Sequence, residues 1–105
     1  MADQFCLKWN NYQLSLTSAF KHILEEEEFV DVTLSAEGKN LKAHKVVLSA
    51  CSSYFRDLLK GIGLWQHPVL VLRDVQFLEL QSILEFVYLG EVNVEQDRLE
   101  SFLKT

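Results

Sequence analysis

The chain has 105 residues, of which 49% are hydrophobic, which is enough for one compact domain. Its 10 Lys and Arg against 15 Asp and Glu residues give a formal net charge of -5, which repels a phosphate backbone and disfavours direct nucleic-acid binding. The chain start has no basic region like that of a signal peptide, and no apolar run approaches the roughly 18 residues of a membrane span, so we expect an intracellular protein.

The N-terminal residues 5–9 alternate with the period of a β-strand, and Phe5, Leu7 and Trp9 fall on one side. A strand this short needs the edge of another strand to pair with, because its backbone groups otherwise remain bonded to water. The sequence therefore predicts a strand whose partner is supplied by another segment.

An amphipathic helix is predicted next, because apolar residues recur at helical spacing from Leu16 through Phe20 to Leu24. Asn10 and Asn11 precede it as candidate N-caps. The acidic run at residues 25–28 is interpreted as a solvated helix end.

The middle of the chain has the pattern of a β-hairpin followed by two short helices. Residues 30–36 alternate, residues 37–40 have turn chemistry, and the alternation resumes at Leu41 and Ala43. Helical spacing then runs from Val47 to Leu58 and is interrupted at residues 52 and 53, where a serine hydroxyl can cap a second helix.

The remaining residues predict a strand, a helix and a final helix that is cut short. The apolar run at residues 69–72 suits a fully buried strand, and the spacing from Phe77 to Val87 predicts a helix that ends at Gly90. Residues 92–94 read as a short extended piece. A last helix begins near Leu99, so we expect a single domain spanning residues 1–105 that is truncated within this helix.

Candidate catalytic residues are few. Cys51, His44 and Asp31 contain the groups of a nucleophilic site, but the spacing places Cys51 on an apolar helix face, where a buried structural thiol is the usual case. We expect His44 to end the hairpin with both ring nitrogens hydrogen-bonded. Phosphate-binding loops, metal-ligand spacing and a nucleophile elbow are absent from the sequence, so neither an enzyme nor a cofactor is expected.

The front of the chain has more large apolar side chains than one helix face requires, and large exposed apolar patches usually mark a protein interface. The alternative is that these side chains fill the core of a single chain. The residues concerned are Phe5, Leu7, Trp9, Tyr12, Leu16 and Phe20.

Three motifs resemble those of a known family. Residues 29–34 read FVDVTL and residues 41–55 read LKAHKVVLSACSSYF, which are similar to the signature of the BTB/POZ interaction domain. Residues 5–11 read FCLKWNN and resemble the prefix of the Tramtrack-type subgroup found in insect transcription factors and chromatin proteins. The resemblance covers nearly the whole chain.

The resemblance implies an α+β fold in which a cluster of short helices packs on a small mixed sheet. It also implies a homodimer in which residues 5–9 form a strand exchanged between subunits, and in which residues 12–24 form a helix that packs against its mate. Asp31 and Lys45 match two charged positions that face a pocket near the dimer floor of transcription-factor BTB domains.

The resemblance further implies a nuclear protein that brings copies of a transcription or chromatin regulator together, with assemblies larger than dimers. Related BTB domains and corepressors are the other partners it implies, and DNA contact is left to other segments. The alternative is a substrate adaptor for a cullin-type ubiquitin ligase. Such adaptors carry a hydrophobic-x-Glu element after the third helix, whereas residues 60–65 read KGIGLW without any Glu.

Overall fold

The structure is a computed structural model that describes residues 3–62 and 66–94. It confirms an α+β fold with short helices and a small mixed sheet. Along the described residues the elements are α1 (Tyr12–Glu25), β1 (Val32–Ala36), β2 (Lys39–Ala43), α2 (Lys45–Cys51), α3 (Ser53–Lys60), β3 (Val69–Val71) and α4 (Phe77–Leu89).

The predicted hairpin is confirmed as β1 and β2, which pair antiparallel in a register from Val32 opposite Ala43 to Ala36 opposite Lys39. Its turn is shorter than the predicted residues 37–40, because Lys39 already belongs to β2. Glu37 and Gly38 form the turn with φ values of 52° and 76°. Two successive left-handed residues are what a tight two-residue hairpin turn requires.

The sheet has the order β2-β1-β3, and β3 runs parallel to β1. The prediction of a fully buried third strand is wrong, because Leu70 is 8% exposed while Val69 and Val71 are 59% and 64% exposed. A short apolar run does not reveal whether one or both faces of a strand are covered. Here β3 lies at an edge and buries one face only.

The tandem helices α2 and α3 are confirmed, and Ser52 is the residue between them. Its Oγ accepts a hydrogen bond of 3.3 Å from the backbone N–H of Phe55, which is the predicted N-cap. Helix α4 also ends as predicted, since Gly90 has φ 81° and its N–H donates to the Phe86 carbonyl at 2.8 Å.

The start of α1 differs from the prediction. Asn11 occupies the N-cap position, but its backbone is left-handed, with φ 59° and ψ 34°, and its side chain makes no capping hydrogen bond. A side-chain cap normally needs an extended backbone at this residue. The helix begins at Tyr12, one turn before the first residue of the apolar pattern at Leu16.

The core lies between one face of the sheet and the helices α2, α3 and α4. Its largest fully buried side chains are Leu34, Leu48, Leu80 and Val32. Residues 92–94, predicted as an extended piece, form no strand within the described chain. The predicted last helix from Leu99 lies outside the described residues.

Candidate protein interface

The N-terminal segment before α1 has its large apolar side chains in solvent. Phe5, Leu7 and Trp9 are 84%, 93% and 67% exposed, and the described residues 3–9 form neither helix nor strand. The predicted strand at residues 5–9 therefore does not form within a single chain, because no sheet edge is paired with it. Its exchange between two subunits stays a prediction.

Helix α1 continues this exposed surface. None of its residues is buried, and Tyr12 and Leu16 are 48% and 39% exposed. The rings of Trp9 and Tyr12 meet edge to face with centroids 5.1 Å apart, which joins the segment to the helix. Phe20 instead packs against the core. We call the other five predicted residues the N-terminal apolar surface: Phe5, Leu7, Trp9, Tyr12 and Leu16.

Two further exposed apolar side chains, at residues 14 and 29, were not predicted. Leu14 is 68% exposed and lies off the apolar stripe of α1, so its spacing gave no signal. Phe29 is 86% exposed and has a left-handed backbone with φ 60°. Such a φ is an outlier for a bulky residue. Phe29 comes just before the predicted alternation at residues 30–36, and nothing in the local pattern indicates this conformation.

Asp31 and Lys45 are brought together, but through the backbone of Lys45. The Asp31 carboxylate accepts a hydrogen bond of 2.7 Å from the Lys45 N–H at the start of α2. The Lys45 ammonium donates to the Gln66 carbonyl. Asp31 is exposed and Lys45 is half-buried in the single chain. A charged pocket formed by the two residues in a dimer stays a prediction.

His44 joins three parts of the fold, and its predicted role is confirmed. Its Nδ1 lies 2.8 Å from the Tyr88 hydroxyl and its Nε2 lies 2.7 Å from the Glu28 carbonyl. A carbonyl only accepts, so Nε2 donates to Glu28, and in the neutral ring Nδ1 then accepts from the Tyr88 hydroxyl. The Tyr88 oxygen also accepts the His44 backbone N–H at 2.9 Å. Burial raises the pKa of Tyr88 to about 12, so its hydroxyl stays protonated as this network requires.

Cys51 is exposed, so the prediction of a buried thiol is wrong. It is the last residue of α2, where the buried side chains are Val47 and Leu48, and its Sγ lies 3.8 Å from the Val87 carbonyl. The His44 ring already binds Tyr88 and Glu28, so it is not available to activate this thiol. Among the described residues, no group of three or more His, Cys, Asp or Glu side chains is placed to hold a metal ion.

The model of the BTB/POZ domain family matches residues 20–105. The chain belongs to the BTB/POZ family. It is 60% identical over 103 residues to the Broad-complex core protein isoforms 1/2/3/4/5 of Drosophila melanogaster, and 52% identical over 103 residues to bric-a-brac 1 of the same species. Each match covers 98% of this chain but only 14% and 10% of the relative. These relatives also confirm the Tramtrack-type resemblance.

Two solved BTB structures have the same fold. The BTB domain of zebrafish PATZ1 matches with a TM-score of 0.85 and 20% identity, over 96% of this chain and 82% of that one. The BTB domain of human gigaxonin matches with a TM-score of 0.81 and 18% identity, over 99% and 85% of the two chains. The BTB fold is a protein-interaction fold.

Within the described chain, no helix is long and apolar enough to cross a membrane.

The BTB signature residues hold the fold at the junction of sheet and helices. Asp31 accepts the Lys45 N–H where the hairpin ends and α2 begins. His44 joins this junction to Tyr88 on α4 and to the loop that carries Glu28. The signature of this BTB domain therefore includes residues that hold the single chain together, whereas Phe5, Leu7 and Trp9 of the Tramtrack-type prefix are exposed.

Proposed function

We propose that this BTB domain brings two copies of a transcription or chromatin regulator together through the N-terminal apolar surface. The observation that supports this is the exposure of its five large side chains, which ranges from 39% to 93% in one chain. A soluble protein rarely leaves so many neighbouring large apolar groups in water unless another surface covers them. A second copy covers them in a symmetric way.

The proposed dimer also supplies hydrogen-bond partners for the backbone of residues 5–9. Residues 5–9 have strand-like alternation but no ladder partner, and pairing with a sheet edge of the other copy satisfies their backbone groups. Full burial of a large apolar side chain contributes about 1.5–3 kcal/mol, and association costs on the order of 4–15 kcal/mol. Several side chains must therefore be buried together, which the segment and α1 do as one surface.

The acidic charge of -5 fits a nuclear role in which other segments of the regulator contact DNA. A dimer raises the effective concentration of any DNA-binding module joined to it, so two modules bind neighbouring sites with greater avidity. In the same dimer, we propose that Asp31 and Lys45 face a pocket near the floor between subunits, and that related BTB domains and corepressors are further partners.

The test compares two leucines that are both exposed in the single chain. Leu7→Asp places a charge in the N-terminal apolar surface, and Leu14→Asp places the same charge on α1 off the apolar stripe. We expect Leu7→Asp to raise the dissociation constant of the dimer at least about tenfold, because it removes the burial of one leucine. Sedimentation measures this over a dilution series.

Leu14→Asp is the matched control, and we expect it to remain dimeric. Circular dichroism at high concentration checks that both variants keep the fold. A well-folded wild-type monomer at micromolar concentration, or equal effects of the two substitutions, would contradict the proposed interface.

A further inference from the structure

A groove lies between the end of α1, strand β2 and helix α4. Its volume is about 580 Å³, which falls within the range of roughly 300–1,000 Å³ that ligand-binding clefts have. None of the five residues of the N-terminal apolar surface lines this groove. It is therefore a separate surface of the same chain.

The apolar part of the groove is supplied by leucines from all three elements. They are Leu24, Leu41, Leu84 and Leu89. Leu24 and Leu41 pack against the core but are only half-buried, so part of their apolar surface is still in contact with solvent. Because the core holds these side chains, the groove exists before any partner binds. An apolar lining with a few polar groups is the usual composition of such a site.

The charged side chains of the groove leave one carboxylate over. The Lys21 ammonium lies 3.9 Å from the Glu25 carboxylate, and the Lys42 ammonium lies 3.5 Å from the Glu27 carboxylate. Each lysine of the lining is therefore paired with a glutamate of the lining. Glu85 on α4 is the remaining charged residue of the lining, and it forms no salt bridge with another described residue. The groove thus has a net negative charge that a cation complements.

Two amide side chains also line the groove, Asn40 on β2 and Gln81 on α4. Each carries an acceptor oxygen and an NH₂ donor, which are the groups that a peptide backbone can bind. An acidic segment does not suit this lining, because its carboxylates would meet three glutamates and would reach a lysine only by breaking an existing pair. The same carboxylates repel a phosphate backbone. A basic protein segment is the occupant that the lining fits.

We propose that the groove binds a short segment of another protein in which a lysine or arginine lies between apolar side chains. The apolar side chains cover the leucines, the cation lies beside Glu85, and Asn40 and Gln81 bind the backbone of the segment. Burial of apolar area supplies the affinity, whereas the opposite charges add specificity. The inference goes beyond the proposed dimer and does not depend on it.

The test reverses one charge of the groove and one charge of the probe. The probe is a fluorescent peptide with a Leu-Lys-Leu core between glycine and serine flanks, and a matched peptide has Glu in place of Lys. We expect the wild type to bind the lysine peptide at least about fivefold more tightly than the glutamate peptide. Glu85→Lys should weaken binding of the lysine peptide at least about fivefold and strengthen binding of the glutamate peptide. Fluorescence anisotropy measures the dissociation constants.

Asp57→Lys is the matched control. Asp57 is an exposed carboxylate on α3 and does not line the groove, and its substitution changes the net charge by the same amount. We expect this variant to bind both peptides as the wild type does. Equal effects of the two substitutions would show that the overall charge of -5 attracts the peptide, and would overturn the groove as its site. Circular dichroism checks that both variants keep the fold.

A second result would also overturn the inference. It is the absence of binding between the wild type and the lysine peptide up to about 1 mM, as expected if a second copy or another part of the chain fills the groove. Sedimentation tests the proposed dimer separately, and we expect Glu85→Lys to associate as the wild type does. Loss of the dimer in the wild type would overturn the proposed function and leave the groove unaffected.

Discussion

The hairpin of β1 and β2 and the segment at residues 5–9 both have the alternating pattern of a strand, but only the hairpin forms strands in the single chain. The hairpin has a two-residue turn that brings its own partner strand alongside. The N-terminal segment has no such partner, and its apolar side chains stay in solvent. The same local pattern thus gives a paired strand in the hairpin and an unpaired extended segment at residues 5–9. The difference is whether the single chain supplies an edge for pairing.

The largest expected effect is a loss of dimer stability when Asp31 is substituted, and it tests whether a second chain covers Asp31. If the proposed dimer buries Asp31 and Lys45 as a charged pair, Asp31→Asn breaks that pair, and we expect a loss of about 3–5 kcal/mol in dimer stability. Adding Lys45→Gln should recover most of this loss. Denaturation of the wild type, the two single variants and the double variant gives the coupling energy between the two residues. A loss of about 1 kcal/mol or less would show that both residues remain at the surface, as in the single chain.

A smaller loss of stability is expected when the hydrogen bonds between Tyr88 and His44 are removed. Tyr88→Phe removes the hydroxyl that binds the His44 ring and backbone, which leaves two buried groups without a partner. We expect a loss of about 1–3 kcal/mol in the free energy of unfolding. Tyr54→Phe is the control, because Tyr54 is 62% exposed. Equal losses for the two variants, measured by urea denaturation, would argue against the network.

The same tyrosine gives a pH dependence. Burial raises its pKa from the ordinary 10.0 to about 12, so the unfolded chain loses this proton at lower pH than the folded chain. The contribution of Tyr88 to stability is therefore fully present below pH 10.0 and is lost as the pH rises towards 12. Tyr88→Phe should show a shallower alkaline decrease than Tyr54→Phe.

The smallest change in single-chain stability is expected for deletion of the N-terminal segment. Deletion of residues 1–9 should change the unfolding free energy of the dilute single chain by less than about 0.5 kcal/mol, because its large side chains are exposed. The same deletion should abolish the rise of the melting temperature with protein concentration. Differential scanning calorimetry at several concentrations measures both. A large loss of stability in dilute solution would place the segment in the single-chain fold.

Much of the fold could be predicted because its signals are local. The turn at Gly38, the cap at Ser52 and the helix end at Gly90 each depend on the chemistry of one or two residues. The exposure of a side chain, in contrast, does not depend on its sequence neighbours alone. The sequence around Cys51 and Val69 is apolar, and whether another element covers such residues depends on how distant parts of the chain pack.

The candidate site shows the same division. Five of its six predicted residues are exposed in the single chain. Phe20 is the exception, since it packs against the core from the same helix. The contact between Asp31 and the Lys45 backbone was beyond sequence reasoning, because it depends on the direction in which the chain enters α2.

The corner at Ser52 has a mechanical consequence. One residue joins α2 to α3, and its N–H donates to the Leu48 carbonyl while its C=O accepts from the Arg56 N–H, both at 2.9 Å. Its hydroxyl accepts a hydrogen bond from the Phe55 N–H. Three hydrogen bonds on one residue thus tie the end of α2 to the start of α3, and we expect the two helices to move together.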